Sequence, residues 1–200
     1  MVQFYGKNSM DFSESGIGYA SLSAHKIGGP AGVGALLVRP GCALSSLLKG
    51  GGQEQGRRSG TENLIGIAGF GAAATAACDD SAHYAEMANW RDAFEARVMS
   101  ALPSVKIFGK SAPRLGNTSC IVAGPRAAET MVMAFDIAGI AISAGAACSS
   151  GKVQSSHVLQ AMGAGEEAAH AIRVSGGWAT QQADFETVAE AFVRLYKQFS

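Results

Sequence analysis

The stretch SLSAHKIGGPAGVG, residues 21–34, decides how the rest of the chain is interpreted. A short apolar segment leads into it, and a second apolar run, VGALLV at residues 33–38, follows it. Both segments are short and bounded by glycine or proline, which is typical of buried strands. The pattern therefore predicts that Lys26 lies at a strand end or in a tight turn, kept out of bulk water by its neighbours.

Three reactive side chains lie within four residues of this stretch: Ser23, His25 and Lys26. A lysine held out of water has a lowered pKa and can form a Schiff base with a carbonyl compound. The hydroxyl and the imidazole are well spaced to bind an anion such as a phosphate beside it. The alternative is a surface lysine in a hairpin loop, and the spacing alone leaves both interpretations open.

The composition limits the class of protein. The chain has 200 residues, 48% hydrophobic and 16% charged, enough for one or two units with a core. Its 16 basic and 16 acidic side chains cancel, which argues against nucleic acid or an anionic membrane as a partner. We find no predicted membrane span or signal peptide. The four cysteines have no metal-ligand spacing, so we expect reduced thiols, a cytoplasmic location and no metal.

A second glycine-rich stretch, GGGQEQGRRSG at residues 50–60, predicts an ordered functional loop. Thr61 follows it and is predicted to cap an alanine-rich helix that runs to about Ala77. A helix start beside Arg57 and Arg58 could bind an anion. A simple cap on a flexible loop is the alternative.

A third segment, SAGAACSSG at residues 143–151, carries Cys148 on a small, polar loop after a predicted strand at 140–142. An accessible thiolate on a mobile loop can visit an active site and then a partner. An incidental loop thiol is the alternative. Cys78 and Cys120 lie among apolar residues and are expected to be inert core thiols.

Arg173 lies in a predicted strand at 171–175. The arginine fork suits bidentate binding of a carboxylate, although a surface salt bridge is the common alternative. Helical periodicity over residues 82–102, with the surrounding strand patterns, predicts an α/β chain that divides near residue 80.

Residues 23–36, 50–63 and 139–159 together resemble the cysteine desulfurases, NifS/IscS-like members of the class-V aminotransferase family. These enzymes depend on pyridoxal 5'-phosphate (PLP). The resemblance implies that Lys26 forms the covalent link to the cofactor, while Ser23 and His25 hold its phosphate. Gln3 matches the glutamine that contacts the cofactor ring oxygen. Thr61 matches a threonine that reaches the phosphate in the neighbouring subunit, which implies a homodimer.

The same resemblance assigns the substrate side of the reaction. Cys148 falls on the persulfide-forming cysteine, and Arg173 on the arginine that holds the substrate carboxylate. Asn117 is a weaker match, because Gly116 replaces the proline of the family's Leu-Pro-Asn-Thr segment. The implied reaction converts L-cysteine to L-alanine and leaves sulfur on Cys148. An acceptor such as an iron–sulfur scaffold or a thiolation protein would then receive the sulfur.

The implied fold is the C-terminal part of a fold-type I PLP-dependent transferase. Residues 1–80 would be the end of the large cofactor domain, and residues 81–200 a small α+β domain. The family's aspartate for the pyridinium nitrogen would fall one position before Met1. We therefore expect the C-terminal half of a desulfurase, and the sequence leaves open whether this half is active by itself. The alternatives are a non-catalytic module for dimerisation or acceptor docking, and a selenocysteine lyase-type activity.

Overall fold

The computed structural model describes residues 1–145 and 156–198, and the chain divides into two compact units, Met1–Ala82 and His83–Ser200. The first unit contains a hairpin, a short 3₁₀ helix and two helices: β1 (Tyr19–Ser23), the 3₁₀ helix (Ala24–Ile27), β2 (Gly34–Val38), α1 (Gln53–Gly56) and α2 (Leu64–Asp79). Strands β1 and β2 pair antiparallel, with Ser23 opposite Gly34 at the turn. This pairing confirms that Lys26 lies in a turn between two strands.

The N-terminal cap of helix α2 lies two residues later than the sequence indicates. The side chain of Asn63, not that of Thr61, accepts a hydrogen bond from the Gly66 backbone N–H at 3.0 Å. The prediction of Thr61 as the cap is wrong because both residue types are good caps and Asn63, not Thr61, directly precedes the first helical residue, Leu64. Thr61 itself is exposed.

Small residues on α2 let the lysine turn pack closely against the helix. A Cβ added at Gly69 would lie 2.6 Å from Cγ of Pro30, and one added at Gly29 would lie 3.1 Å from Cβ of Ala73. Neither space admits a side chain without movement of its neighbour. The glycine and alanine content of α2 therefore fixes how near the Lys26 turn approaches it.

The hairpin strands are largely uncovered, so the prediction that they are buried is wrong. Within residues 1–82, Ala20 and Ala24 are the apolar side chains that are fully buried. Tyr19 and Leu36, on the strands, are each about half exposed. The cause is that β1 and β2 form a two-stranded sheet, with no third strand pairing to it in the described chain. A sheet of this size has too little area to bury its own faces.

The second unit is a four-stranded antiparallel sheet with helices packed on it. Its elements are α3 (Ser81–Ala101), β3 (Lys106–Phe108), β4 (Thr118–Val122), α4 (Ala128–Ile137), β5 (Ser143–Ala144), α5 (His157–Ala161), a 3₁₀ helix (Gly165–Ala169), β6 (Ile172–Ser175) and α6 (Gln182–Gln198). The strand order is β3-β4-β6-β5. The strand predicted at 140–142 is wrong, because Ile140 and Ile142 pack against the core and pairing starts only at Ser143.

The core of this unit lies between the sheet and helices α3, α4 and α6. The predicted apolar stripe of α3 is confirmed, since Met87, Phe94 and Val98 are buried. Phe192 of α6 lies at the centre, with its ring centroid 6.0 Å from that of Phe94. It also stacks on Tyr196 at 4.4 Å. Aromatic contacts of this kind favour defined ring orientations and stabilise the core beyond what the buried area alone contributes.

Arg114, in the segment before β4, forms ion pairs with Glu95 and Asp92 of α3. Arg114 donates two hydrogen bonds to the carboxylate of Glu95, at 2.6 and 2.7 Å, and Glu95 is only 1% exposed. The bond to this carboxylate raises the pKa of Arg114. The pair satisfies a charge that would otherwise be buried alone. Within residues 1–145 and 156–198, no helix has the length and apolar character needed to cross a bilayer.

Candidate active site

The lysine turn combines a hydroxyl, an imidazole and an amine at the end of β1. Ser23 Oγ and His25 Nδ1 lie 2.9 Å apart and share a hydrogen bond. The backbone then turns through Gly28, whose φ of +82° suits glycine and closes the 3₁₀ helix. Lys26 is exposed, so the expectation that its neighbours keep it out of bulk water is wrong for this unit. The hairpin has no outer layer that could cover the amine.

A second lysine lies beside Lys26 and was not found from the sequence. Lys7 is half-buried, and its pKa is lowered, first by burial and second by the positive charge of Lys26. In the described chain neither lysine forms an ion pair with a carboxylate. In the sequence, Lys7 follows Gly6 in a loop-like N-terminal segment, and nothing in that pattern distinguishes it from an ordinary surface lysine.

The turn that carries Lys7 also carries Gln3. Tyr5 fixes this turn to α2, where its hydroxyl lies 3.4 Å from the Ala74 carbonyl oxygen and 3.2 Å from Cys78 Sγ. Gln3 is exposed. Cys78 is exposed as well, which corrects its assignment as a core thiol, because it lies in the last turn of a helix with one open face.

The glycine-rich loop before α2 is held by its own polar side chains. Arg58 donates to the carbonyl oxygen of Gly60 at 2.6 Å and forms an ion pair with Glu54 at 3.4 Å. Glu54 and Gln55 have φ of +52° and +58°, a conformation that costs free energy in residues other than glycine. The guanidinium of Arg58 thus organises the loop that leads to Thr61.

Arg173 lies on β6 in the second unit, with its side chain on the exposed face of the sheet. It pairs directly opposite Cys120 on β4 and Ser143 on β5. Burial raises the pKa of Cys120, and the charge of Arg173 acts in the opposite direction. In the part of the chain that the structure describes, Arg173 has no carboxylate partner. Its guanidinium therefore stays available for an external anion.

Asn117 comes just before β4 and is 3% exposed. Its side-chain nitrogen donates to the carbonyl oxygen of Gly176 at 2.8 Å, and its oxygen accepts from Thr118 Oγ1 at 3.3 Å. This amide therefore ties the start of β4 to the segment after β6. Cys148, the remaining sequence-predicted residue, lies outside the described residues.

The donor set of the lysine turn fits PLP. The phosphate of this cofactor is an anion, and Ser23 and His25 offer a hydroxyl and an imidazole that share one hydrogen bond. The cofactor carbonyl requires an amine, and Lys26 adjoins this pair and forms no ion pair with a carboxylate among the residues that the structure describes. Among the described residues, no group of three or more His, Cys, Asp or Glu is placed to hold a metal ion.

Comparison with known proteins agrees with this chemistry. The pattern of the class-V aminotransferase family matches residues 1–188. The chain belongs to the class-V aminotransferase family. Its members depend on PLP. A cysteine desulfurase of Cereibacter sphaeroides is 39% identical over 198 residues, which cover 98% of this chain and 51% of that protein.

Solved structures of NifS-like proteins also resemble this chain. A NifS-like protein from Rickettsia africae superposes with a TM-score of 0.84 at 33% identity, covering 98% of this chain and 52% of that one. A structure titled SspA in complex with cysteine gives a TM-score of 0.64 at 30% identity, over 88% of this chain and 48% of the other. The chain thus spans about half the length of the relatives it matches, and its mixed α/β fold corresponds to half of a NifS-like fold-type I PLP enzyme.

Proposed function

We propose that this chain supplies the Lys26 and Cys148 half of a PLP-dependent cysteine desulfurase that converts L-cysteine to L-alanine. The observation that carries the proposal is the lysine turn, in which Ser23 Oγ and His25 Nδ1 lie 2.9 Å apart beside Lys26. The family membership and the similarity to cysteine desulfurases support it. The similarity to a structure that holds cysteine supports the substrate.

Each residue of the turn has a separate task in this proposal. Ser23 and His25 bind the cofactor phosphate, Gln3 contacts its ring oxygen, and Lys26 forms the covalent link through Nζ. PLP, when bound, supplies a ring that takes up electron pairs from bonds broken in the substrate. Lys26 Nζ then holds and moves the protons exchanged at the substrate carbon atoms. Residues 1–80 belong to the cofactor-binding domain in this proposal.

The substrate is oriented and attacked by residues of the small domain, residues 81–200. Arg173 binds the substrate carboxylate with its fork of donors, and Asn117 positions the segment that leads from β6. Cys148, as the thiolate, attacks the substrate sulfur. An S–S bond forms as the C–S bond of the substrate breaks, and the substrate carbon takes up a proton. Alanine then leaves, and the persulfide stays on Cys148. An iron–sulfur scaffold or thiolation protein in the cytoplasm would accept that sulfur.

A homodimer completes the site in this proposal, with Thr61 of one copy reaching the phosphate bound by the other. The surface around Thr61 supports an interface. Leu64 and Ile65 follow it on α2 and are 74% and 88% exposed, and Leu47 is 94% exposed. Exposed apolar side chains of this size are typical of surfaces that another protein covers.

The cofactor step is tested by mixing the purified chain with PLP, reducing with borohydride, and mapping the modified peptide by mass spectrometry. We expect modification at Lys26, its loss in Lys26→Ala, and its retention in Lys49→Ala, since Lys49 is an exposed lysine outside the turn. Modification spread over several lysines without preference for Lys26 would contradict the proposal. The sulfur step is tested by adding L-cysteine and the matching N-terminal half, then measuring alanine and the persulfide at Cys148.

A non-catalytic module for dimerisation or acceptor docking is a second candidate, favoured by one observation. The second unit has a continuous core of its own, whereas the first unit does not. If this candidate holds, the chain folds and self-associates but shows no modification of Lys26 by PLP. A selenocysteine lyase-type activity is separated from desulfuration by comparing the alanine formed from L-selenocysteine with that formed from L-cysteine. In this scheme, the reaction with L-cysteine requires the Cys148 thiol.

A further inference from the structure

An open cavity of about 390 Å³ lies in the second unit, between α3 and the segment before β4. Its lining consists of five charged side chains and one alanine: Arg91, Asp92, Glu95, Lys110, Ala112 and Arg114. Three of the charged groups are cations and two are carboxylates, so their formal charges sum to +1. The volume of the cavity is in the range of small-molecule sites in proteins.

Burial and hydrogen bonds hold part of this lining in place. Glu95 is 1% exposed and Arg91 is 6% exposed. Arg91 Nη1 donates to the carbonyl oxygen of Leu115 at 2.6 Å, and its Nε and Nη2 donate to one oxygen of Asp92 at 2.9 and 2.7 Å. These bonds fix the guanidinium before any ligand binds, and such preorganisation lowers the entropy cost of binding.

The two arginines have N–H groups to spare. A guanidinium carries five N–H donors. The bonds among the described residues use three of them on Arg91 and two on Arg114, whose Nη1 and Nη2 bind the Glu95 carboxylate. Asp92 lies 3.7 Å from Arg114 Nη2, which is too far for a hydrogen bond. Two N–H groups of Arg91 and three of Arg114 therefore have no acceptor in the part of the chain that the structure describes.

Lys110 is the source of the excess positive charge. Its Nζ lies 3.1 Å from Met99 Sδ, and among the described residues it forms no ion pair. A thioether sulfur is a weak acceptor without a charge of its own. The carboxylates of Asp92 and Glu95 pair with the two arginines instead. One cation at the cavity is thus left without a counter-ion.

We propose that this cavity binds a phosphate group, either free or carried by a small molecule, through Lys110 and the spare N–H groups of Arg91 and Arg114. Guanidinium and ammonium groups are the side chains that recognise phosphate oxygens. A phosphate presents its oxygens in a tetrahedral arrangement, so it accepts donors from three cations at once, whereas a planar carboxylate pairs with one fork. The site uses none of the residues assigned to the desulfurase reaction, so it stands or falls independently of the proposed function.

The experiment titrates the 200-residue chain by calorimetry with inorganic phosphate, with glycerol 3-phosphate and with acetate, at constant ionic strength. We expect the phosphate probes to bind with a Kd below about 1 mM and more tightly than acetate. Tighter binding of glycerol 3-phosphate would support a ligand that carries its phosphate on an organic group, and equal binding would support free phosphate. A Kd above about 1 mM for both phosphate probes overturns the proposal.

Three variants locate the binding. Lys110→Gln should weaken phosphate binding about fivefold, the change expected for a unit charge about 4 Å away in water. Lys197→Gln is the matched control, because it removes the same charge from an exposed lysine of α6 and should leave binding unchanged. Asp92→Asn keeps an oxygen acceptor for Arg91 but removes a negative charge, so it should tighten binding about fivefold. Urea unfolding checks that each variant is folded.

The opposite signs separate a phosphate site from a purely structural network. Weaker binding in Asp92→Asn, or equal losses in Lys110→Gln and Lys197→Gln, would overturn the proposal. Phosphate should also slow hydrogen exchange of residues 110–116, because the ligand would hold this segment against α3. Slower exchange confined to residues 19–38 would instead place the phosphate at the lysine turn, and would contradict a site at this cavity.

Discussion

The second unit buries a continuous set of large apolar side chains between a four-stranded sheet and three helices, whereas the first unit fully buries only Ala20 and Ala24 among its apolar residues. In both units the local sequence pattern predicts helices or strands that the structure contains. The difference is that a two-stranded hairpin and one small-residue helix cannot cover each other. Local structure in the first unit therefore exists without the burial that normally stabilises it.

The largest effect is expected in the core of the second unit. Phe192→Ala should lower the free energy of unfolding by about 4 kcal/mol, because it removes a ring that is fully buried and contacts three other aromatic rings. Urea unfolding followed by tryptophan fluorescence measures this, since Trp90 and Trp178, the two tryptophans of the chain, both lie in that unit. A loss below about 1 kcal/mol would contradict the picture of one continuous core.

A smaller loss is expected from the ion pair in the same unit. Glu95→Gln should cost about 3 kcal/mol, because it removes the buried carboxylate that Arg114 holds with two hydrogen bonds and leaves only Asp92, at 3.7 Å, as its charged partner. Glu190→Gln is the matched control, since Glu190 pairs with Arg97 on the surface. The control should change the unfolding free energy by less than about 1 kcal/mol. Equal effects of the two substitutions in urea unfolding would refute the distinction between the pairs.

Two glycines on α2 test how the first unit is held. Gly69→Ala should destabilise the lysine turn by about 2 kcal/mol, because the added methyl group meets Pro30. Gly71→Ala meets nothing within 4 Å and should stabilise the helix by about 0.5–1 kcal/mol. Hydrogen exchange of residues 19–38 is the measurement for both. If the two variants shift exchange in the same direction, close packing at Gly69 is not what fixes the turn.

The smallest effect on stability is expected on the exposed face of α2. Ile65→Gln should change the free energy of unfolding by less than about 0.5 kcal/mol, because Ile65 is largely exposed. It should lower the fraction of dimer measured by light scattering if this face lies at the proposed interface. An unchanged dimer fraction would place the interface elsewhere.

The sequence was informative where a pattern is local. The turn at Lys26, the stripe of α3 and strand β4 follow from glycine placement and periodicity over a few residues. The cap at Asn63 was missed because Thr61 is an equally good cap by residue type alone. The half-exposed strand residues were missed because burial depends on layers elsewhere in the fold.

Lys7 illustrates a different limit. The place of its turn on α2 depends on Gly6 packing against Ala77, a contact between segments far apart in the chain. No spacing rule connects these positions. The roles assigned to the site residues remain predictions: Gln3, Ser23, His25, Lys26, Thr61, Asn117, Cys148 and Arg173.

The uncovered side chains of Leu47 and Ile65 also have a consequence for how long the protein persists in a cell. Quality-control chaperones and proteases recognise apolar surface that stays open. A copy of this chain without its covering surface would be removed faster than a covered one. Its steady-state abundance is therefore expected to follow the supply of whatever covers these side chains, so that uncombined copies do not accumulate.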